Sequence, residues 1–243
     1  LTASNHQDIF ALTVEAFNLA EIYRTPVILL LDEVVAHMRE RLVVPQPGEI
    51  PLVERLKTSV KEGVDYHPYL PREDGRLPMS DFGGVHRFNV TGLFHDMWGF
   101  PSSEPRAVHG LLRHLVDKIE NRVNQLARYK EYYIDDAEQL LLSYGSAARS
   151  AHHTVEDRRS CGERLGLLEL QTLWPFPKEI VREKCAHVKS VVVVEQNMGQ
   201  IMQSVKLAVD QPGKVFLANR INGVFITPED IMNILRLIQG KGV

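Results

Sequence analysis

The chain has 243 residues, of which 44% are hydrophobic and 24% charged, with a formal net charge of -3 and a pI of about 6.4. This balance is typical of a globular domain with a substantial core, and it gives no electrostatic reason to expect nucleic acid or an anionic membrane as a partner. The longest apolar runs, at 26–31 and 191–194, are far shorter than the roughly 20 residues of a membrane-spanning helix.

The two cysteines, Cys161 and Cys185, lie far apart in the sequence, and neither belongs to a CxxC motif. This spacing excludes a disulfide framework, and it excludes an iron–sulfur cluster or a four-cysteine zinc site held by this chain alone. We expect reduced cysteines in a cytoplasmic protein. The chain begins at Leu1, directly before a helical pattern, and we interpret the sequence as a fragment or a trimmed product.

The first predicted element is an amphipathic helix over 8–24, because apolar side chains recur there at steps of three and four residues. Asn5 or Asp8 is positioned to cap its first turn. A continuous apolar run that ends in two acids follows at 25–33. Such a run is typical of a parallel strand buried on both faces, so we predict a strand here.

The chain changes character between Pro45 and Pro105, a segment that contains eight of the thirteen prolines and seven glycines. A long segment without regular structure is uncommon in a compact domain, and it indicates a functional or partner-facing excursion. Residues 105–131 are then predicted to form one long helix, with Pro105 in its first turn and an apolar stripe along one side.

From there to the end, strand and helix patterns alternate, which predicts an α/β fold with a mainly parallel sheet covered by helices. The predicted strands lie at about 140–143, 165–170, 190–195 and 214–219, and the helices at 147–159, 177–188, 198–210 and 227–240. In the last helix, Thr227 is the expected N-cap and Pro228 the first helical residue. We expect residues 132–243 to form a three-layer domain.

Two strand–turn–helix junctions, SYGSAARS (143–150) and VEQNMGQ (194–200), have backbone N–H groups that are able to hold an anion. Neither matches a nucleotide-binding loop or a serine-nucleophile motif. The simpler interpretation is that Gly145 and Gly199 permit tight turns. The ten histidines show no HExxH spacing, so we expect no metal site.

The stretch VTGLFHDMWGFP (90–101) fits neither a helix nor a strand. One interpretation is a packed surface loop in which Asp96 binds nearby backbone and Trp98 covers a core. The other is a His95–Asp96 pair that moves protons or orients a substrate, presented from a loop at an interface. In this second interpretation, Phe94, Trp98 and Phe100 pin the loop.

Taken together, five segments resemble the alpha subunit of the 2-oxoacid:ferredoxin oxidoreductases, in its 2-oxoglutarate branch. These segments are 17–40, the TGLxHDxxG pattern at 91–99, YGSAAR at 144–149, LLELQTLWPFP at 167–177 and VVVVEQNMGQ at 191–200. The resemblance implies that residues 1–131 are the C-terminal part of a thiamine-pyrimidine-binding domain with a long loop and a connecting helix. Residues 132–243 would be a transketolase C-terminal-like domain.

The same resemblance implies a function. The enzyme would oxidatively decarboxylate 2-oxoglutarate with coenzyme A to succinyl-CoA and CO2, and would reduce ferredoxin. Thiamine diphosphate and Mg²⁺ would be shared with a beta subunit, with their main ligands outside this chain, and an iron–sulfur cluster would lie on the partner only. His95 and Asp96 are the candidate site residues, whereas the cofactor-binding residues are not identified.

The family pattern has a long stretch before the position of Leu1 that this chain lacks, including the glutamate that activates the cofactor. We therefore expect the chain alone to be colourless and inactive. An alternative function is a non-catalytic assembly module of a multi-subunit 2-oxoacid oxidoreductase, because residues 132–243 offer no nucleophile and no metal-ligand set.

Overall fold

The computed structural model describes residues 1–46 and 48–240, which divide by their contacts into two compact units. Unit 1 consists of Leu1–Leu12, Leu29–Val44 and the chain from Val123 onward. Unit 2 consists of Thr13–Ile28 and Pro45–Arg122. Among the described residues, no helix is long and apolar enough to cross a membrane.

Unit 1 is built on one five-stranded sheet. Its strands are β1 Tyr129–Tyr132, β2 Gln139–Ser143, β3 Leu165–Leu170, β4 Ser190–Glu195 and β5 Val215–Asn219. They are arranged in the order β1-β3-β2-β4-β5, and every pair is parallel except β1 with β3. The α/β class, the mainly parallel sheet and the four predicted strands are confirmed.

Eight α-helices and one short 3-10 helix, Pro212–Lys214, lie in the described part of the chain. The α-helices are α1 His6–Tyr23, α2 Glu33–His37, α3 Pro105–Glu120, α4 Val123–Leu126, α5 Ala147–Ser160, α6 Lys178–Cys185, α7 Gln200–Ala208 and α8 Pro228–Gly240. Two predicted N-caps are confirmed, since the Asp8 N–H donates to Asn5 Oδ1 at 2.9 Å and the Asp230 N–H donates to Thr227 Oγ1 at 3.3 Å. The first cap starts α1 and the second starts α8.

The core of unit 1 lies on both faces of the sheet, as the continuous apolar runs predict. Leu140 and Leu142 pack in one cluster with residues of α6 and α7, whereas Leu141 packs in the other with residues of α5 and α8. The alternation of side chains along a strand produces this division. The predicted three-layer arrangement is therefore confirmed.

The prediction of a buried parallel strand at 25–33 is wrong. The segment is extended, but its only bridge among the described residues joins Leu30 to Thr2. Ile28 is 69% exposed and Leu30 57% exposed. A strand buried on both faces needs neighbouring strands along both edges, and residues 25–33 belong to none of the strands of the described sheet.

The single long helix predicted over 105–131 is also wrong. Helix α3 ends at Glu120, with Asn121 as its C-cap, and after the short α4 the chain becomes the edge strand β1. The start is as predicted, with Pro105 in the first turn, and Glu104 Oε2 accepts the N–H of Ala107 at 2.7 Å. The three- and four-residue spacing of apolar side chains continues into Tyr129–Tyr132. These residues nevertheless form a strand, because their pairing with β3 outweighs a local preference for helix.

Unit 2 confirms the irregular segment that the prolines and glycines predict. Between 48 and 104 the described residues form turns and two isolated bridges, without a helix or strand. Asn18 in α1 and Arg24, which directly follows α1, hydrogen-bond to this segment. The Asn18 amide donates to Pro51 O at 2.7 Å and accepts the Val53 N–H at 2.9 Å, and Arg24 donates to Pro68 O at 3.1 Å.

Candidate functional site

The 90–101 loop lies in unit 2 and closes on itself. The Asp96 N–H donates to Phe100 O at 3.0 Å, and the Ser102 N–H donates to Phe94 O at 2.9 Å. An antiparallel bridge pairs His95 with Pro101. These bonds close the loop into a narrow turn.

Asp96 is part of this turn. Its Oδ1 accepts the N–H groups of Trp98 and Phe100, each at 3.0 Å, which is the Asx-turn behaviour of the first interpretation. Gly99 has φ +88, and a Cβ added there would lie 2.9 Å from the Pro68 ring. The turn therefore requires both a short acceptor at 96 and a glycine at 99. Neither turn bond uses the Asp96 Oδ2 atom.

His95 is buried beside the turn. Its ring stacks on Tyr69 with centroids 4.7 Å apart and planes within 3°, and its Nε2 shares a 3.0 Å hydrogen bond with Thr91 Oγ1. Tyr69 is itself fixed, because its hydroxyl donates to Asn89 O at 2.8 Å. His95 and Asp96 are thus held rigidly, but each binds a different partner instead of forming one hydrogen-bonded pair.

The expectation that Phe94, Trp98 and Phe100 pin the loop is wrong. These side chains are 46%, 47% and 62% exposed. Trp98 touches the edge of the His67 ring, at 4.2 Å between centroids, and does not cover a core. The loop keeps its shape through backbone and Asp96 hydrogen bonds, so its aromatic side chains are free to face outward.

A groove of about 690 Å³ runs between this loop, residues 69–71 and the first half of α3. His95, Asp96 and Trp98 contribute to its wall, together with His114 from α3. The His114 Nε2 atom is buried without a hydrogen-bond partner among the described residues. Burial, and secondarily the nearby Lys118 charge, lowers the pKa of His114, which favours the neutral ring. Sequence reasoning missed His114, which has no motif around it.

The two junctions at the carboxyl edge of the unit 1 sheet already hold carboxylates of this chain. At the start of α5, Asp32 Oδ2 accepts the Ser146 N–H at 2.6 Å. Gly145 has φ +57, and a Cβ there would lie 2.6 Å from the same Asp32 oxygen. A carboxylate at a helix N-terminus is favourable, so this potential anion site is filled internally.

The start of α7 is filled in the same way by Glu195, which is fully buried. Its two carboxylate oxygens accept the N–H groups of Ile201 at 3.1 Å and Met202 at 3.0 Å, and the Tyr144 hydroxyl donates to it at 3.0 Å. Burial, followed by the Glu195 charge, raises the pKa of Tyr144, which keeps this hydroxyl protonated as a donor. Gly199, with φ +92, permits the turn as predicted.

A smaller polar pocket of about 290 Å³ opens next to the end of β3. The buried Glu169 carboxylate accepts the Ser4 hydroxyl at 2.7 Å and the Tyr132 hydroxyl at 3.4 Å. Burial, then the Glu169 charge, raises the pKa of Tyr132 to about 12. Arg149 lines the pocket but is already paired with Glu40 at 2.7 Å. The polar groups here mainly satisfy one another.

Comparison with known protein families identifies both parts of the chain. Residues 1–108 match the thiamine-diphosphate-binding domain of pyruvate flavodoxin/ferredoxin oxidoreductases. Residues 137–231 match core domain II of pyruvate:ferredoxin oxidoreductase. The chain belongs to the 2-oxoacid:ferredoxin oxidoreductase family.

Curated relatives in this oxidoreductase family align along almost the whole chain. The 2-oxoglutarate synthase subunit KorA of Methanothermobacter marburgensis is 37% identical over 96% of this chain. The ketoisovalerate oxidoreductase subunit VorB of Methanothermobacter thermautotrophicus is 31% identical over 99% of it. The chain spans 62% and 60% of the lengths of these two relatives.

A solved structure supports the same oxidoreductase fold. The 2-oxoglutarate:ferredoxin oxidoreductase from Magnetococcus marinus, with 2-oxoglutarate, coenzyme A and succinyl-CoA bound, superposes with a TM-score of 0.85 at 24% identity. The match covers 97% of this chain and 41% of that chain. His95 and Asp96 fall within the part matched by the thiamine-diphosphate-binding family, and Glu195 falls within core domain II.

Proposed function

We propose that the chain is part of the alpha subunit of a 2-oxoglutarate:ferredoxin oxidoreductase that acts with a beta subunit in the cytoplasm. The main support for this proposal is an alignment with relatives named 2-oxoglutarate synthase subunit. These relatives are 37% identical to this chain over nearly its whole length. The relative named for ketoisovalerate is more distant, at 31%. The complex would convert 2-oxoglutarate and coenzyme A to succinyl-CoA and CO2, and would pass the electrons to ferredoxin.

In this proposal, thiamine diphosphate supplies the stabilisation of the carbanion that decarboxylation requires. Among the described residues, no group of three or more His, Cys, Asp or Glu side chains is arranged to hold a metal ion. As the family resemblance implies, the proposal places the main ligands of thiamine diphosphate and Mg²⁺ outside this chain, and the iron–sulfur cluster on the partner subunit. The proposed domain division stays at 1–131 and 132–243.

The substrate is tested by purifying the assembled complex and measuring reduction of a viologen dye that depends on both a 2-oxoacid and coenzyme A. We expect kcat/KM for 2-oxoglutarate to exceed that for 2-oxoisovalerate and for pyruvate by at least about tenfold, since a site built for two carboxylates leaves buried donors unpaired with a monocarboxylate. A preference for the branched acid would overturn the substrate assignment. Inactivity with all three acids would overturn the function.

The roles of His95 and Asp96 are part of the same proposal. Asp96 Oδ2 is not used by the turn, and His95 lines a groove large enough for a substrate or cofactor group. In the complex, His95→Ala and Asp96→Asn are expected to lower turnover by about 10²-fold or more, the usual scale for losing a positioned acid or base.

A matched pair at Asp96 separates charge from loop shape. Asp96→Asn removes the charge but keeps an oxygen that accepts the Trp98 and Phe100 N–H groups, whereas Asp96→Ala removes both. If the carboxylate serves chemistry, both variants lose turnover. If it only builds the turn, the Asn variant keeps near-native turnover and the Ala variant does not, and the site assignment fails.

A non-catalytic assembly role is the second candidate for unit 1. This role is supported by the hydrogen bonds at the carboxyl edge of the sheet. There, the carboxylates of Asp32 and Glu195 accept backbone N–H groups at the N-termini of α5 and α7. Polar groups that satisfy one another inside the chain stabilise the fold and leave little for a ligand. Unit 1 would then support the complex without touching the reacting atoms.

A further inference from the structure

The orientation of the His95 ring is set by two neighbouring side chains. The Tyr69 ring lies parallel to the imidazole, with 4.7 Å between centroids, and fixes the plane of the imidazole. Stacking alone leaves two orientations, which are related by a half-turn of the ring and exchange nitrogen and carbon positions. The 3.0 Å hydrogen bond between Nε2 and Thr91 Oγ1 selects one of them. Thr91 therefore determines which ring nitrogen is used inside the loop.

The Thr91 hydroxyl has a second hydrogen bond, which limits what it does for His95. Its Oγ1 atom accepts the Leu93 N–H at 3.1 Å. If Oγ1 also accepted a hydrogen bond from Nε2–H, the hydroxyl hydrogen would have no acceptor among the described residues. Donation of that hydrogen to Nε2 satisfies both groups in one bond, and it requires an Nε2 atom that carries no proton.

We propose that Thr91 is a positioning residue that holds His95 as the tautomer with its proton on Nδ1, and that His95 donates this N–H to an oxygen of a 2-oxoacid. The lone pair of the neutral ring is then occupied by Thr91, so the ring has no free base. Of the two roles considered for His95, moving a proton and orienting a substrate, this tautomer serves the second. The inference rests on the proposed function for the identity of the substrate.

The Nδ1 atom of His95 is available for this contact. It has no hydrogen-bond partner among the described residues and, unlike His114 Nε2, it is not an enclosed atom without a partner. His95 also lines the groove of about 690 Å³ described above. Carboxylate and keto oxygens only accept hydrogen bonds, so a site for a 2-oxoacid needs donors, and Nδ1–H is one.

The tautomer is measured by NMR on the full chain with nitrogen-15-labelled histidine, from the couplings between ring nitrogens and ring protons. Spectra are recorded at about pH 8.5, well above the ordinary histidine pKa of about 6.5. The His95→Gln variant identifies the His95 signals by their loss. We expect the Nδ1–H tautomer to exceed the Nε2–H tautomer about five- to tenfold, the preference that one net hydrogen bond gives. A majority of Nε2–H in the unmodified chain overturns the proposal.

Three threonine variants separate the bond to His95 from the shape of the turn. Thr91→Val removes the hydroxyl and keeps the side-chain shape, whereas Thr91→Ser keeps the hydroxyl. The matched control is Thr58→Val. Thr58 Oγ1 accepts the Val60 N–H at 3.2 Å, in the same spacing as Thr91 and Leu93, but bonds no histidine among the described residues. Denaturation midpoints show whether each variant is folded.

We expect Thr91→Val to lower the ratio of Nδ1–H to Nε2–H at least about fivefold. In the assembled complex it should lower kcat for 2-oxoglutarate about tenfold, the scale for losing a group that orients a histidine in a site. Thr91→Ser and Thr58→Val should each keep both values within about twofold of the unmodified protein. The proposal fails if Thr91→Val leaves either value unchanged, if Thr91→Ser does not preserve them, or if Thr58→Val changes the tautomer ratio equally.

The tautomer is read without turnover, so the two proposals can fail separately. A complex that oxidises no 2-oxoacid, built from a chain whose His95 tautomer depends on Thr91, would sink the proposed function and keep the tautomer assignment. An active complex in which His95 carries its proton on Nε2 would do the reverse.

Discussion

The sheet of unit 1 and the 90–101 loop of unit 2 bury opposite kinds of side chain. Leu141 and Val193 have no exposed surface, and the buried carboxylate of Glu195 accepts three hydrogen bonds. In the loop, by contrast, His95 and the Asp96 turn bonds form the inside, and apolar side chains form the outside. The sheet therefore has an apolar interior, whereas the loop has a polar interior and exposes apolar side chains.

The largest expected difference is in the free energy of unfolding, when leucine is replaced by alanine once in the sheet and once in the loop. Leu168→Ala in β3 should lower the free energy of unfolding by about 2–5 kcal/mol, because it leaves a cavity in a core with no exposed surface at that residue. Leu93→Ala on the loop should change it by about 0.5 kcal/mol or less. Urea denaturation followed by circular dichroism measures both. Equal losses of unfolding free energy would show that Leu93 is packed as tightly as Leu168, and that the two regions do not differ.

The buried carboxylate at the start of α7 should give the next largest effect. Glu195→Gln replaces one acceptor oxygen by an NH₂ donor, which would then face the N–H of either Ile201 or Met202, and this should cost about 2 kcal/mol. Glu229→Gln on the surface of α8, where the carboxylate pairs with the exposed Arg236, is the control and should cost about 0.5 kcal/mol or less. If both variants lose a similarly small amount of unfolding free energy, the hydrogen bonds of Glu195 do not stabilise the start of α7.

A pH-dependent contribution is expected from Glu40 in unit 1. Hydrogen bonds from the His6 backbone and ring, followed by Arg149, hold the pKa of Glu40 at about 2, below its ordinary value of 4.5. A lowered carboxylate pKa stabilises the fold above pH 4.5, and this contribution is lost as the pH falls from 4.5 towards 2. After allowance for solvent screening, Glu40→Gln should cost about 1 kcal/mol at pH 7.

The measurement for Glu40 is the difference in unfolding free energy between Glu40→Gln and the unmodified chain, followed from pH 7 down to pH 2. The difference should shrink steadily below pH 4.5 and be a small fraction of its pH 7 value at pH 2. Glu33→Gln, at a carboxylate that is 85% exposed, should show no such trend. A difference that stays constant with pH would refute the assignment.

The smallest effect is expected at Trp98, which covers a core in one interpretation of the sequence; truncating a buried ring of this size would cost about 3 kcal/mol or more. The ring is half-exposed and touches only the edge of His67 in the aromatic contacts described, so Trp98→Ala should cost about 1 kcal/mol or less. Thermal melting of the isolated chain measures it. A loss near 3 kcal/mol would restore the buried-anchor interpretation.

The local sequence pattern was sufficient to predict most strands and helices of unit 1. The runs at 165–170 and 190–195 are apolar on both faces, and they become β3 and β4 with the predicted boundaries. The Thr227 and Pro228 signal likewise places the start of α8. These features are predictable because continuous apolar runs, caps and turn glycines act over a few residues, whatever surrounds them.

The sequence by itself thus determined the fold class, the order of strands and helices, the irregular segment after Pro45 and the family. Only the tertiary structure decided that 25–33 remains without a sheet, that the helix begun at Pro105 stops at Glu120, and that Asp32 and Glu195 fill the helix N-termini. It also decided that the 90–101 loop turns its apolar side chains outward. The physical reason is that strand pairing, burial and long-range hydrogen bonds depend on which distant residue lies alongside, and periodicity carries no information about that neighbour.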